Sequence, residues 1–200
     1  MSRARVFIDY WNFQLAWNEV AAGSQCDWRA LPVTLVRQVA EVISSAGQSG
    51  DLSLEETIVY ASVDPEGDTK LRGWLTSFLD RQPSFDVKIR DRKARPKSIH
   101  CRLCGTITSA CPNCGEDYVG RPEKGVDAAL VTDLLFLAWQ GAYDVAVLVS
   151  SDADFIPAVE HVQAHGLKVV NASWKGRGHD LQRACWASFH IEDLKEELCR

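Results

Sequence analysis

The stretch "VLVSSDADF", residues 147–155, runs from an apolar segment straight into two serines and two aspartates, Asp152 and Asp154. Like charges that close raise each other's energy unless water, a basic side chain or a metal ion neutralises them. Two more aspartates stand at comparable places. Asp9 ends the apolar run "RVFID", and Asp127 opens an apolar segment just ahead of the 147–155 stretch. Brought together, these four carboxylates form a cation site, and an all-oxygen ligand set favours Mg²⁺ or Mn²⁺. Such ions activate water and stabilise an in-line phosphoryl displacement. An aspartate after a strand is also a common helix cap or turn residue, so each one alone has a structural reading. Asp133 lies six residues beyond Asp127, about 240° around a helix. It is expected at the edge of the site or in an ion pair.

The second chemical feature is "CRLCGTITSACPNCG", which holds Cys101, Cys104, Cys111 and Cys114. Two CxxC pairs, each followed by Gly, read as two knuckles. The Gly lets the chain turn back so that backbone N–H groups approach the thiolates. Four thiolates suit a closed tetrahedral structural zinc site, with iron–sulfur or redox chemistry as the alternatives. A closed site leaves no open position for catalysis, so zinc would shape the chain and the carboxylates would react. Cys26, Cys185 and Cys199 are read as unpaired. Just ahead of the knuckles, "KIRDRKARPKSIHCR" concentrates positive charge at Arg90, Arg92, Lys93, Arg95 and Lys97. This is either a phosphate-contacting arm or a solvated linker. Trp11 is either a stacking platform beside Asp9 or a core residue, and Trp74 and Trp139 are expected in the core.

The elements that must position these groups follow from periodicity. Strands are expected at 5–9, 57–63, 85–91, 144–151 and 167–174, with a last one at 188–193. Helices are expected after an Asn12 N-cap, at 31–47, 68–81, 126–140 and 154–166, and briefly at 180–186. The 126–140 helix is apolar on most sides and is expected to be deeply packed. Alternating strands and helices imply an α/β fold: a parallel sheet with helices on both faces. In such sheets sites form beyond the carboxyl ends of the strands, where Asp9 and Asp152 would lie. Residues 92–122, rich in basic residues, Cys, Gly and Pro, break the pattern. The expected division is a main domain of 1–91 and 123–200 with an inserted 92–122.

The segments "FIDYWN", "KGVDAALVTDLL" (124–135) and "VLVSSDADFIPAVEHVQAHGLKV" (147–169) closely resemble, in order and spacing, the NYN domain of the PIN-like nuclease superfamily. The resemblance covers most of the chain outside 92–122. It implies a PIN-like, Rossmann-like fold and a divalent-metal-dependent nuclease, usually acting on RNA. It assigns the acidic site to Asp9, Asp127, Asp152 and Asp154. Asn12 would position Asp9 or the substrate, and Ser150 and Ser151 would place hydroxyls and N–H groups at its edge. The zinc stretch is foreign to the ordinary domain. The segment "GRGHDLQRACWASFHIEDL" matches loosely, and no site residue is carried over from it.

The 200 residues carry a formal net charge of −5, which argues against a general nucleic-acid coat protein but not against a nuclease. No apolar run approaches the ~20 residues needed to span a bilayer, and the first residues lack a signal-peptide core, so a cytoplasmic protein without membrane contact is expected. Three functions compete. The first is a metal-dependent endoribonuclease, with RNA a better partner than DNA. The second is a non-catalytic RNA-binding adaptor using the zinc ribbon and basic arm, although a pure binder gains nothing from four carboxylates beside phosphate. The third is an aspartyl-phosphate phosphohydrolase, disfavoured because that chemistry usually needs a second aspartate where Trp11 stands.

Overall fold

The computed structural model describes all 200 residues. In chain order the elements are β1 (Ser2–Asp9), α1 (Tyr10–Val20), α2 (Leu31–Ser45), β2 (Leu52–Val63), α3 (Thr69–Trp74) and β3 (Phe85–Asp91). Four two-residue strands follow: β4 (Arg95–Pro96), β5 (Ile99–His100), β6 (Ile107–Thr108) and β7 (Val119–Gly120). Then come α4 (Val126–Trp139), β8 (Val145–Val149), α5 (Ile156–Ala164), β9 (Lys168–Ser173), α6 (His179–Ala184), β10 (Ala187–His190) and α7 (Lys195–Leu198).

One six-stranded sheet, in the order β10-β9-β8-β1-β2-β3, has every neighbouring pair parallel. Strand order reverses between β1 and β8, because the chain fills the β2-β3 side first and the β9-β10 side second. Ligand sites of open α/β sheets lie at this switch point. Period-two alternation splits the core between the two faces. Val6, Ile8, Val59, Val147 and Val149 pack towards α1 and α2, while Phe7, Ile58, Leu148 and Val169 pack towards α4 and α5. The α/β class and helices on both faces are as expected.

Three local expectations change. The N-cap of α1 is Asp9, not Asn12, because β1 passes directly into the helix. Helix α4 buries only Val126, Leu130, Leu134 and Ala138, one narrow stripe. Phe136 and Trp139 are 56% and 69% exposed, so Trp139 is not a core residue, and its ring stacks on His165 instead. Trp74 is half-buried, stacked on Phe78.

Residues between β3 and α4 stand outside the main sheet as small antiparallel pairs, β4 with β7 and β5 with β6. Both ends of this excursion are tied to the carboxyl end of β2. The Arg92 N–H donates to the Val63 carbonyl, and Arg121 pairs with Asp64 and Glu66. No helix is long and apolar enough to cross a membrane.

Candidate active site

Asp9 leaves the sheet centre as the last residue of β1 and is only 7% exposed. Its Oδ1 accepts the Asn12 N–H at 3.3 Å, which caps α1, and its Oδ2 accepts the Ser150 hydroxyl at 3.3 Å. The same Ser150 Oγ accepts the Asp152 N–H at 3.2 Å. Asp152 Oδ1 in turn accepts the Asp154 N–H at 2.9 Å and caps a short 3-10 turn over Ala153–Phe155. Asn12 Oδ1 accepts the Ser151 N–H at 3.0 Å, which locks the start of α1 to the end of β8. Asn171, fully buried on β9, donates to the carbonyls of Leu148 and Ser150, both at 2.9 Å. Thus Asp9 and Asp152 serve as caps, the Asp9 carboxylate and the Asp152 N–H share the Ser150 hydroxyl, and Asn12 ties Ser151 to the same place.

The electrostatics tie Asp127 to this group. Burial first, and then the charges of Glu123 and Asp127, raise the Asp9 carboxyl to about 6 against the lowering pull of the Asn12 N–H and the Ser150 hydroxyl. Asp127, at the start of α4, is also raised, by burial and then by the charges of Asp152, Glu123 and Asp154. None of the four aspartates is in an ion pair with a basic side chain. The Ser151 hydroxyl is buried without a hydrogen-bond partner. An excess of oxygen donors, mutually repelling and with an orphan hydroxyl beside them, fits Mg²⁺ or Mn²⁺ in type. As the side chains stand, no three Asp, Glu, His or Cys groups are gathered closely enough to hold one ion.

Sequence reasoning missed Glu123. Its Oε2 accepts the hydroxyl of the fully buried Ser62 at 2.6 Å and pairs with Arg92 at 3.0 Å. Arg92 also donates from Nε to Ser62 Oγ at 2.9 Å and lies 4.9 Å from the centre of the Trp11 ring. Trp11 donates its indole N–H to the Ser62 carbonyl at 2.6 Å. Arg92 is therefore part of the acidic site's wall, and one face of Trp11 is already covered by it. The only signal for Glu123 was its place three residues ahead of α4. Gly178 was missed too. Its φ is +65°, and an added Cβ would come within 2.8 Å of the Ser151 Cα, so the loop before α6 presses on the site.

Of the two places expected for Asp133, the structure shows the ion pair and not the edge of the site. Asp133 Oδ2 accepts the Tyr60 hydroxyl at 2.8 Å and Lys88 Nζ at 2.7 Å, which fastens α4 to β2 and β3. Three of the basic residues, Arg90, Lys93 and Arg95, line one cleft of about 510 Å³ with Lys124 and Arg72. Arg72 is ion-paired to Asp91. Pro122 and Lys124 are also in this lining and flank Glu123, so the basic cleft borders the acidic group. Lys97 lies outside the cleft, beside Gly120.

The two CxxC stretches form matching turns. Gly105 and Gly115 adopt φ of +73° and +75°, and their N–H groups donate to the Cys101 and Cys111 carbonyls at 2.9 and 2.8 Å. The Thr106 hydroxyl, the Thr106 N–H and Cys101 bring the Cys104 thiol down to about 7. N–H groups of Cys114 and Asn113 lower Cys111. These are the turn geometry and donors that suit thiolate ligation, although the two pairs are not drawn together into one four-sulfur group.

A family model described as "NYN domain" matches residues 3–193. No protein of curated function matches the sequence. Among solved structures, the chain is similar to a protein of unknown function from Vibrio parahaemolyticus. The TM-score is 0.57 at 18% identity, over 100% of this chain and 96% of that one, a likeness of fold.

Proposed function

The chain belongs to the NYN domain family, within the PIN-like nuclease superfamily; from that premise we propose that it is a divalent-metal-dependent ribonuclease cutting phosphodiester bonds internally. The observation that carries this reading is Asp9. It is a buried carboxylate at the sheet's switch point, raised to about 6 and repelled by Glu123 and Asp127 with no ion pair of its own. A fold keeps so costly a group where a cation is to be held.

Asp9, Asp127, Asp152 and Asp154 would hold Mg²⁺ or Mn²⁺. When bound, the ion supplies an activated water and neutralises charge on the phosphate and leaving oxygen. The protein's own groups prepare that site. Ser150 and the Asn12 N–H fix both oxygens of Asp9. Asp9 holds its proton more tightly than an ordinary carboxylate, so it must release it before a cation can be taken up. Arg90, Lys93, Arg95 and Lys124 would bind phosphates next to the scissile one. Residues 92–122 are proposed as an inserted unit on a 1–91 and 123–200 domain, with Cys101, Cys104, Cys111 and Cys114 holding one structural zinc.

The test is incubation with labelled single-stranded RNA, structured RNA and DNA in Mg²⁺, Mn²⁺ or chelator, alongside Asp9→Asn, Asp127→Asn and Asp152→Asn. Cleavage is expected with metal only and is lost in each variant. Full activity in two of the three would sink the site. RNA binding without cleavage by the wild type under every condition would favour the adaptor.

A further inference from the structure

Two cysteines far from the CxxC turns meet across the fold. Cys26 lies in the segment between α1 and α2, and Cys199 directly follows α7, and they are opposite partners in an isolated antiparallel bridge. The bridge hydrogen bonds flank the pair. The Asp27 N–H donates to the Leu198 carbonyl and the Arg200 N–H to the Gln25 carbonyl, both at 2.8 Å. Cys26 and Cys199 therefore form a non-hydrogen-bonded pair. In such pairs the Cα atoms are roughly 4.5 Å apart and the two side chains leave the same face close together. That falls within the roughly 4.4–6.8 Å that a disulfide spans between Cα atoms. Both side chains also turn to one apolar cluster: Cys26 belongs to it, and Cys199 packs against it half-buried. Both thiols are free in the structure.

We propose that Cys26 and Cys199 are the two halves of a disulfide that forms when the protein meets a low-molecular-weight disulfide oxidant. Cys199, the more exposed, attacks the oxidant first; its S–H bond gives way to a mixed disulfide, and one small thiol leaves with a proton. Cys26 then attacks the Cys199 sulfur, closing the protein S–S bond and releasing the second small thiol with the second proton. The two protein thiols are oxidised by two electrons, and the small disulfide is reduced by the same two. Burial, with Asp27 nearby, holds the Cys26 thiol well above its ordinary range. Closure is therefore slow, and an equilibrium readout is needed.

The bond would act on a defined place. Cys26 and Arg200 line a cleft of about 680 Å³ whose walls include Tyr10, Trp28, Trp74 and Phe78. Tyr10 follows Asp9, and its ring stacks on Trp28 at 5.6 Å. A bond between residues 26 and 199 would fasten that wall and shorten the unfolded chain's reach, raising the thermal midpoint.

The experiment uses the full chain, reduced and then equilibrated in glutathione buffers of increasing oxidised fraction. Free thiols are alkylated, and the protein is digested and mapped by mass spectrometry. The expected result is a peptide bearing Cys26 joined to one bearing Cys199, lighter than the reduced pair by two hydrogens. A rise of several degrees in Tm should accompany it and should be absent in Cys199→Ser and in Cys26→Ala. Three results would each overturn the proposal: cross-links found only among Cys101, Cys104, Cys111 and Cys114; a Cys199–glutathione adduct that persists while Cys26 stays alkylatable; or an unchanged Tm in cross-linked protein.

Discussion

Replacing Asp9 by Asn should make the metal-free protein more stable at neutral and alkaline pH. The folded environment raises this carboxyl from 3.8 to about 6. That is roughly two units, each worth about 1.4 kcal/mol of preference for the neutral form. An acid raised on folding has its stability intact below about pH 4 and loses it as pH rises through the folded value. Ionised Asp9 should therefore cost the wild type up to about 3 kcal/mol near pH 8. Asn keeps an oxygen for the Asn12 N–H that caps α1. It forfeits a negative charge at a helix N-terminus, worth about 0.3–1 kcal/mol. It also places an amide where Asp9 accepts from Ser150 or where the acids gather. The net expectation is about 1–2 kcal/mol of added stability near pH 8, or about 2–8 °C in Tm at this chain length. It should fade to nothing near pH 4.

The assay is urea unfolding of both proteins in chelator at several pH values, then in Mg²⁺ or Mn²⁺. With metal the order should reverse. The wild type should gain about 2.7 kcal/mol at a hundredfold excess over Kd, and Asp9→Asn much less. A variant less stable than wild type near pH 8 in chelator, or a difference that ignores pH, would refute the reasoning.

Glu123→Gln should lower the Asp9 carboxyl towards its ordinary range, detectable as a downshift by NMR titration, because one repelling charge is removed. The chain should bind about one zinc through its four CxxC thiols, and Cys104→Ser should lose it while the far-UV spectrum of the sheet persists. Replacing Arg90, Lys93 and Arg95 together by Ala should weaken RNA binding at low salt. It should also flatten the salt dependence by roughly 0.7 per lost phosphate contact, with turnover at saturation kept. Arg92→Ala should behave differently and cut turnover, because Arg92 holds Glu123 and Ser62 rather than facing the cleft. Equal effects of the two changes on affinity alone would remove that distinction.

The strands, most of the helices and the placing of Asp9 and Asp152 at the ends of neighbouring strands were legible because they rest on local pattern plus one topological rule. The end of an apolar strand is read from neighbours, and the switch point follows from strand order. What escaped depended on contacts between distant positions. Arg92 and Glu123 face each other only because the chain leaves β3 and returns to α4 at the same end of β2. Asp133 was placed on the correct helix, but Tyr60 and Lys88, which hold it, are on strands brought beneath that helix by the fold. The apolarity of α4 on most sides pointed to deep packing, but composition does not say that one side of a helix is left to water. Asn12 suits a cap chemically, yet β1 passes into α1 with no loop between them, so the cap falls three residues earlier, on Asp9.

The knot of Ser62, Arg92 and Glu123 has a consequence for the chain as a polymer. It pins two points far apart in sequence to one spot on the sheet, so everything from Lys93 to Pro122 is a closed side-branch in space. Doubling or halving such a branch alters the entropy of joining its ends by only about 0.6 kcal/mol. The sheet can thus tolerate large changes in what hangs there, from a short turn to a small independent module, while keeping the same strand order. The junction itself has no such latitude: its arginine, glutamate and serine are at once the hinge plate of the branch and the wall of the acidic pocket. Variation is cheap beyond the knot and expensive within it.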